Sequence, residues 1–568
     1  MKMIKNKIVV VCLLLFGAGS YAQKDLVKFG AISRGVVQES TLEAADTTNP
    51  NKDNGGQAVV DLRLNINPNR KTEIGTVIRL ESELGGFFGS GSAISLRQLY
   101  VKGLLYDVVS YELGDIYLEL SPYTLYNSNG ELSKNEASIF NELRQDYTEY
   151  DNFNIGNSWW SQGGHVNFGL DFDSTKTTGM QFDIFSSRIL APSTMRFLSG
   201  GRVGLFQKNL YNVNLNVVRV NDAAKVTPLV ESLDNVVASL EWKYQIVDAL
   251  SFFGEAGVSR YGIDAPVDFV GEYDAPEDRE GEFVNAGLQL DLMDKKFVTK
   301  LKYLRNSAHF YSAGAQTKRL DFTAAPQLFL NVANDPFNNR ALNMADILFN
   351  TDMYNAEISG TLMDYDPFYG NVTPYGEATP NRQGLWLTSE YAGDEDLFKV
   401  GFEAALLTDV TGVGTDNKRS FRRLNAYGNL DVAQLTGYSK QFNVQASFTN
   451  ESTQRDGESA GIDLQTNAID AGLEVEVLKK FYIYGGVKSL SGAGNEYQYD
   501  LSDNNTYNVP AYYSVDMSQF LTGAGVKYKF SDNMYLSLKN FNVNVKNNED
   551  EDLSYAYNQW LLFFSLKL

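Results

Sequence analysis

The chain has 568 residues, with 49 basic against 70 acidic side chains, a formal charge of −21 and a single cysteine. A surface this acidic repels a phosphate duplex, and no basic stripe interrupts it, so nucleic acid is excluded as a partner. Mean hydropathy is −0.27, and past the amino-terminal segment no apolar run approaches the ~18–20 residues of a membrane-spanning helix.

At the amino terminus Lys2, Lys5 and Lys7 precede the apolar stretch Ile8–Phe16 and a small-residue exit at Ser20-Tyr21-Ala22. This pattern predicts a secretory signal peptide over residues 1–22, with 23–568 as the mature chain. A lipoprotein reading would lipidate Cys12, but Val11 stands where a small residue is wanted and the apolar run continues past it. Loss of Cys12 with the leader excludes disulfides and thiol chemistry.

From Val27 onward, segments of about ten residues alternate apolar with polar, the period of a strand with one greasy and one wet face. Val236, Ala238, Leu240, Trp242, Tyr244 and Ile246 alternate with Ser239, Glu241, Lys243 and Gln245. Val284, Ala286, Leu288, Leu290 and Leu292 alternate with Asn285, Gly287, Gln289 and Asp291, and Ile469 to Val477 reads the same way. Because the pattern recurs through most of the chain, it predicts an all-β fold: a transmembrane antiparallel up-and-down β-barrel with its polar set turned inward. The 33 tyrosines and 34 phenylalanines suit aromatic girdles at the two membrane interfaces.

Short periplasmic turns are expected at Asn67–Lys71, Tyr106–Val108, Asp173–Lys176, Gln207–Asn209, Val247–Asp248, Asp294–Lys296, Asp394–Asp396, Thr436–Ser439, Leu478–Lys480 and Ser531–Asn533. Longer connections fall near 39–56, 84–93, 120–162, 190–195, 222–233, 263–281, 312–382, 410–421, 454–465, 493–516 and 547–555. The sum is about 22 strands, with about 18 as the lower bound and both ends on the periplasmic side. Alternation is poor near 27–38, 190–206 and 383–392. A barrel of this size encloses a bore wider than its wall side chains can fill. With the first strand starting at Val27 there is no room for a separate plug domain, which counts against an energised receptor. A passive channel, or a barrel blocked by its own loops, remains.

Strands two to five place Asp61, Arg63, Arg79, Glu81, Arg97, Glu112 and Asp115 at or close to inward positions. Such a wall of both signs either filters solutes by its transverse field or stiffens itself with cross-strand ion pairs. The stretch Gly85 to Ser92 has no strand-to-helix context for phosphate and reads as a loop. Residues 120–162 carry Tyr123, Tyr126, Phe140, Tyr147, Tyr150, Phe153, Trp159 and Trp160, while 312–382 repeats Asp-Pro-Phe at Asp335-Pro336-Phe337 and Asp366-Pro367-Phe368. Loops of this length are usually functional. They fit an in-folded constriction, with Trp159, Trp160, Phe337 and Phe368 as its contacts or as contacts to a partner, an extracellular cap packed on itself, or a sugar-stacking surface.

The only histidines are His165 and His309. His165 points into the lumen, away from the lipid-facing wall where an outer-membrane serine hydrolase needs its catalytic histidine, so no enzyme activity and no catalytic residue is expected. Two histidines and no mature cysteine do not supply a zinc or copper site, and no metal or cofactor is implied. Further round, Glu241, Glu255, Asp291, Glu403, Asp431, Asp470, Glu474 and Glu476 face inward against fewer bases, among them Lys243, Lys300, Lys302 and Arg423. A net acidic lumen would favour cations or neutral solutes. The acidic runs Glu272–Glu282 and Asn547–Asp552 could hold Ca²⁺ or Mg²⁺ against lipopolysaccharide phosphates, although neither matches the twelve-residue calcium loop and a solvated surface is the plainer reading.

The last segment, Tyr557–Leu568, places Trp560, Leu562, Phe564, Leu566 and Leu568 on one face. It resembles the carboxy-terminal signal read by the barrel-assembly machinery, with Leu568 in place of the usual phenylalanine. With Ser20-Tyr21-Ala22-Gln23 at the other end, the chain resembles bacterial outer-membrane barrels as a class, porin-like and of Bacteroidota character; it matches no one family within it. The resemblance implies the bacterial outer membrane as location, membrane lipid and lipopolysaccharide as surroundings, and the assembly machinery as a partner in biogenesis. Two functions follow: a passive porin for small solutes, or a non-conducting barrel that serves other outer-membrane proteins as a subunit or scaffold in assembly, secretion or surface attachment.

Overall fold

The computed structural model describes residues 26–44, 51–83, 91–128, 135–152, 159–190 without 174, 194–225, 232–264, 279–322, 342–498 without 356, 361, 458 and 459, and 511–568. The predicted leader and Phe337 lie outside the described residues, as does most of Glu272–Glu282.

Twenty-two strands form one antiparallel sheet. They begin with β1 (Val27–Ala44), β2 (Asn51–Asn69), β3 (Thr72–Glu83), β4 (Ser92–Leu105), β5 (Val109–Asp115), β6 (Ser161–Asp171), β7 (Thr178–Ile189) and β8 (Thr194–Gln207). Next come β9 (Tyr211–Lys225), β10 (Ser232–Val247), β11 (Leu250–Asp264), β12 (Arg279–Leu292), β13 (Phe297–Asn306), β14 (Arg382–Ala392), β15 (Phe398–Thr408) and β16 (Ser420–Asp431). The circuit ends with β17 (Phe442–Arg455), β18 (Ile462–Leu478), β19 (Phe481–Gln498), β20 (Ala511–Ser531), β21 (Met534–Asn547) and β22 (Tyr555–Lys567). Each strand pairs with its sequence neighbours, and β22 closes on β1 with Gly35 opposite Phe564 and Val37 opposite Leu562. Closure leaves no free edge, as a sheet in lipid requires.

Alternation sorts the faces inside out. Leu240 is 46% exposed while Ser239 beside it is 2% exposed, and Leu406 at 56% neighbours Ala405 at 0%. Apolar side chains point out of the barrel and the polar set is covered inside it, the pattern of a protein dissolved in a bilayer. Among the described residues no helix is long and apolar enough to cross a membrane.

All ten expected turns are present. At the tightest, Tyr106 and Asp107 both have positive φ, 51° and 59°, and Val108 N–H closes on Leu105 at 3.1 Å, the geometry of a two-residue primed turn. The turn expected at Thr436–Ser439 starts earlier and carries a short helix, Val432–Thr436, whose Gln434 amide is capped by Asp431 at 3.0 Å and which ends at Gly437. At 39–56, β1 and β2 run on to Ala44 and from Asn51, because their ladder pairs Leu42 with Asn51.

Two connections fold into the barrel. The first, between β5 and β6, contains α1 (Ser138–Leu143), continued by a wide helical turn over Arg144–Glu149. The second, between β13 and β14, contains α2 (Met344–Phe349), whose Asn343 accepts from Ala345 and Asp346 amides while Asp346 accepts from Asn343, a complete capping box. Ile139, Phe140 and Leu143 join Leu521, Phe541 and Phe563 of the wall and Met344, Ala345 and Leu348 of α2 in one buried cluster. The wall is dented to receive them: at Gly486 and Gly523, which pair across β19 and β20, an added Cβ would lie 2.8 and 3.0 Å from the Phe140 ring. The structure contains no separate plug domain among its described residues; the barrel's own loops occupy much of its interior.

Candidate functional site inside the barrel

Three parts of the interior bear on function, and the first is an arginine cluster on β1 to β4. Asp61 and Arg79 sit opposite each other across β2 and β3, and their side chains join at 2.8 and 2.9 Å. A register shift between β3 and β4 leaves Arg97 as an extra inward residue, 3.7 Å from Asp61. Asp151, carried in by the first inserted segment, meets Arg34 at 2.7 Å, Arg79 at 3.0 Å and Arg97 at 3.5 Å. The Tyr150 ring lies between two guanidinium groups, 4.2 Å from that of Arg34 and 4.5 Å from that of Arg97, and its hydroxyl donates to Asp61 at 2.7 Å. Burial, reinforced by Asp61, pushes that phenol up to about 12, so it stays a donor. Three wall arginines thus grip the end of the segment.

The second part adjoins it on β18 to β22. Lys488 bonds Glu136 at 2.7 Å and also Asp470; Lys527 bonds Glu142 at 2.8 Å and Glu474 at 2.9 Å; Lys539 reaches Glu142 at 3.4 Å. Arg144 pairs with Glu136 at 2.8 Å, and Lys567 with Asp146 at 2.9 Å. Burial raises the Glu142 carboxyl, but Lys539 and Lys527 outweigh it and hold the group below its ordinary value; Arg144 and Lys488 do the same for Glu136. Each of these loop acids is met by at least one base of the wall, and Glu136 also by the loop's own Arg144.

The third part lies on β10 to β14, in the half of the barrel nearer the short turns. A cavity of about 470 Å³ is bounded there by Glu241, Lys243, Phe253, Glu255, Gln289, Lys300, Lys302 and Trp386 of the wall and by Tyr123 and Glu377 of the inserted segments. Lys302 pairs with Glu377 at 2.5 Å and lies 4.6 Å from the Trp386 ring. Glu255 accepts from Ser121 at 2.7 Å.

Some of the sequence-singled residues fall in these parts and others lie outside them. Asp61, Arg79 and Arg97 form the first cluster; Arg63 shares the face of Asp61, and Glu81 the inward face beside Tyr147. Glu112 faces inward between Lys102 and His165 on the neighbouring strands. Asp115 departs from the alternation: Gly114, at φ 104°, turns the strand end, and the carboxylate accepts the Leu99 amide at 2.5 Å. Glu474 belongs to the second cluster, Glu241 and Lys243 to the cavity, and Arg423 stands 3.6 Å from both Glu403 and Glu451. Trp159 is buried among Leu125, Phe185 and Leu198, Trp160 donates to Asn152 at 2.8 Å, and Phe368 fills the dent at Gly492. Of the acidic runs, Asn547–Asp552 is a capped surface turn, and among the described residues no group of three or more metal-ligating side chains occurs.

Arg34, Glu136, Glu142, Lys527 and Lys539 escaped the sequence reading. Their signal was present as complementarity: an acidic stretch, Glu136 to Asp151, against lysines at inward positions of late strands.

The sequence matches no protein-family model and no curated protein. Among solved structures, the chain is similar to the ferric citrate transporter FecA, at 9% identity and TM-score 0.49, over 95% of this chain and 78% of that one. It is also similar to OccK3 of Pseudomonas aeruginosa, at 11% identity and TM-score 0.36, over 96% and 98% of the two chains. With OmpT of Vibrio cholerae, in a loop-deletion form, identity is 11% and TM-score 0.25, over 96% and 100%. At such values the architecture rests on the strand pairings themselves. A closed antiparallel cylinder, apolar without and polar within, has one solvent that suits it, and the protein is a β-barrel of the bacterial outer membrane.

Proposed function

We propose that the protein is a loop-constricted channel that passes small hydrophilic solutes along the β10–β14 sector of its bore. One observation carries this reading: the first inserted segment is ionically latched to the walls of β1–β4 and β18–β22, whereas the β10–β14 wall, which the second segment meets through Glu377 and Lys302, keeps a cavity of about 470 Å³ in which Lys243 and Lys300 form no ion pair among the described residues. A wall built only to be sealed has no use for charged side chains left in water. Many of the inward acids, Asp61, Asp470, Glu403 and Glu474 among them, have cationic partners, so the local charges of the open sector set selectivity more than net acidity does.

Planar-bilayer recording of the purified protein tests this. Small ohmic steps are expected, and removing the latch in Lys527→Gln/Lys539→Gln enlarges them. The second reading is a non-conducting subunit or scaffold, favoured by the density of buried ion pairs that fix the first segment. Silent bilayers for both the native chain and the latch variant select it.

A further inference from the structure

Hydrogen-bond donors outnumber free acceptors around the β10–β14 cavity. Glu377 is taken by Lys302 at 2.5 Å and Asn285 at 3.3 Å, Glu241 by Asn214 at 3.0 Å and Arg202 at 3.8 Å, and Glu255 by Ser121. Against these, Lys243 and Lys300 are exposed side chains of the cavity wall with no ion-pair partner among the described residues. Trp386 is only 7% exposed, yet its indole Nε1–H has no acceptor among the described residues. A buried N–H left unmatched costs free energy, and two solvated ammonium groups on one wall of a bore raise the local concentration of anions. What is missing is an acceptor carrying negative charge.

The remaining lining describes the body of the ligand. Phe253 and Trp386 supply apolar ring surface, while Gln289 and Thr388 place amide and hydroxyl groups around it. Amide and hydroxyl groups beside aromatic rings suit a ring that presents hydroxyls at its rim and C–H groups on its faces. A volume of about 470 Å³ falls within the range of small-molecule sites. The geometry points to a binding site for a hydroxylated ring bearing one carboxylate, an acidic monosaccharide, with Lys243 and Lys300 receiving the carboxylate and Trp386 Nε1–H donating to the ligand. This inference deepens the channel reading by naming its solute class and rests on it only for the direction of travel, since binding is measured without conduction.

The test titrates the purified full-length protein in detergent with glucuronate and with glucose, its uncharged counterpart, by calorimetry, and records bilayer currents with the same additions. Saturable glucuronate binding is expected, about tenfold or more tighter than glucose. Lys243→Gln/Lys300→Gln should weaken glucuronate by a similar factor, while Lys243→Arg/Lys300→Arg retains it; heat-modifiable migration on gels verifies that each barrel is folded. Equal binding of glucose and glucuronate, or no binding of either by the native protein, overturns the site whatever the variants do. So does glucuronate affinity unchanged in the glutamine variant. Glucuronate binding with silent bilayers rejects the channel and upholds the site; ohmic currents without charge-dependent binding reject the site and uphold the channel.

Discussion

Phe140 and Tyr150 show how single side chains hold a large structure in one state. Phe140 enters a hollow that exists only because Gly486 and Gly523 carry no side chain, so Gly523→Val should push α1 off the wall. Overpacking of this kind costs about 1–3 kcal/mol; the expected result is faster proteolysis within 135–152 while the barrel keeps its heat-modifiable mobility. Tyr150→Phe keeps the ring between Arg34 and Arg97 but removes the donor to Asp61. A loss of about 1.5–3 kcal/mol is expected for a hydrogen bond to a charged group, seen as a rise in hydrogen exchange confined to the first inserted segment. A change spread through the strands would contradict this local role.

At the scale of elements, the inserted segment is a latch whose strength depends on pH. Glu136 and Glu142 are held below the ordinary carboxyl value of 4.5, so their contribution to docking is complete above that value and is lost as pH falls through the lower bound-state values. Conductance should therefore be constant from neutral pH to about pH 5 and rise as the solution is acidified below ~4. Glu142→Gln leaves Lys527 and Lys539 without their shared carboxylate, and breaking buried pairs in this way costs about 3–5 kcal/mol. The enlarged conductance should then be present already at neutral pH; a pore unchanged by both acid and substitution would mean the segment is not the constriction. The elements themselves were legible: every strand hairpin announced its turn, down to Tyr106–Val108. The docking of α1 was not, since nothing local to Glu142 names Lys527, 385 positions away.

The whole molecule answers to two solvents at once. Phe402, 41% exposed in the middle of β15, looks outward, while Glu403 beside it is 1% exposed and faces the interior. A charge introduced on the outer face, Phe402→Arg, should cost about 2–4 kcal/mol near the bilayer midplane, measured as a lower denaturant midpoint for folding into lipid vesicles. The same arginine in place of Thr388, on the opposite face of the neighbouring strand and beside the cavity, should fold normally and alter ion selectivity instead. Equal destabilisation at both sites would contradict the assignment of faces.

Membrane location, a barrel of about 22 strands, the turn positions and the two-faced character of the strands were determined by the sequence alone, because strand periodicity is local: each residue's face follows from its neighbour's. Where alternation failed, local causes account for it, as with Asp115 after the left-handed Gly114 and Arg97 at a register shift. Only the tertiary structure decided that the bore is occupied, which charges are consumed in holding its contents, and which sector remains open. Those outcomes depend on side chains hundreds of residues apart meeting across the lumen, and no periodicity encodes a meeting of that kind.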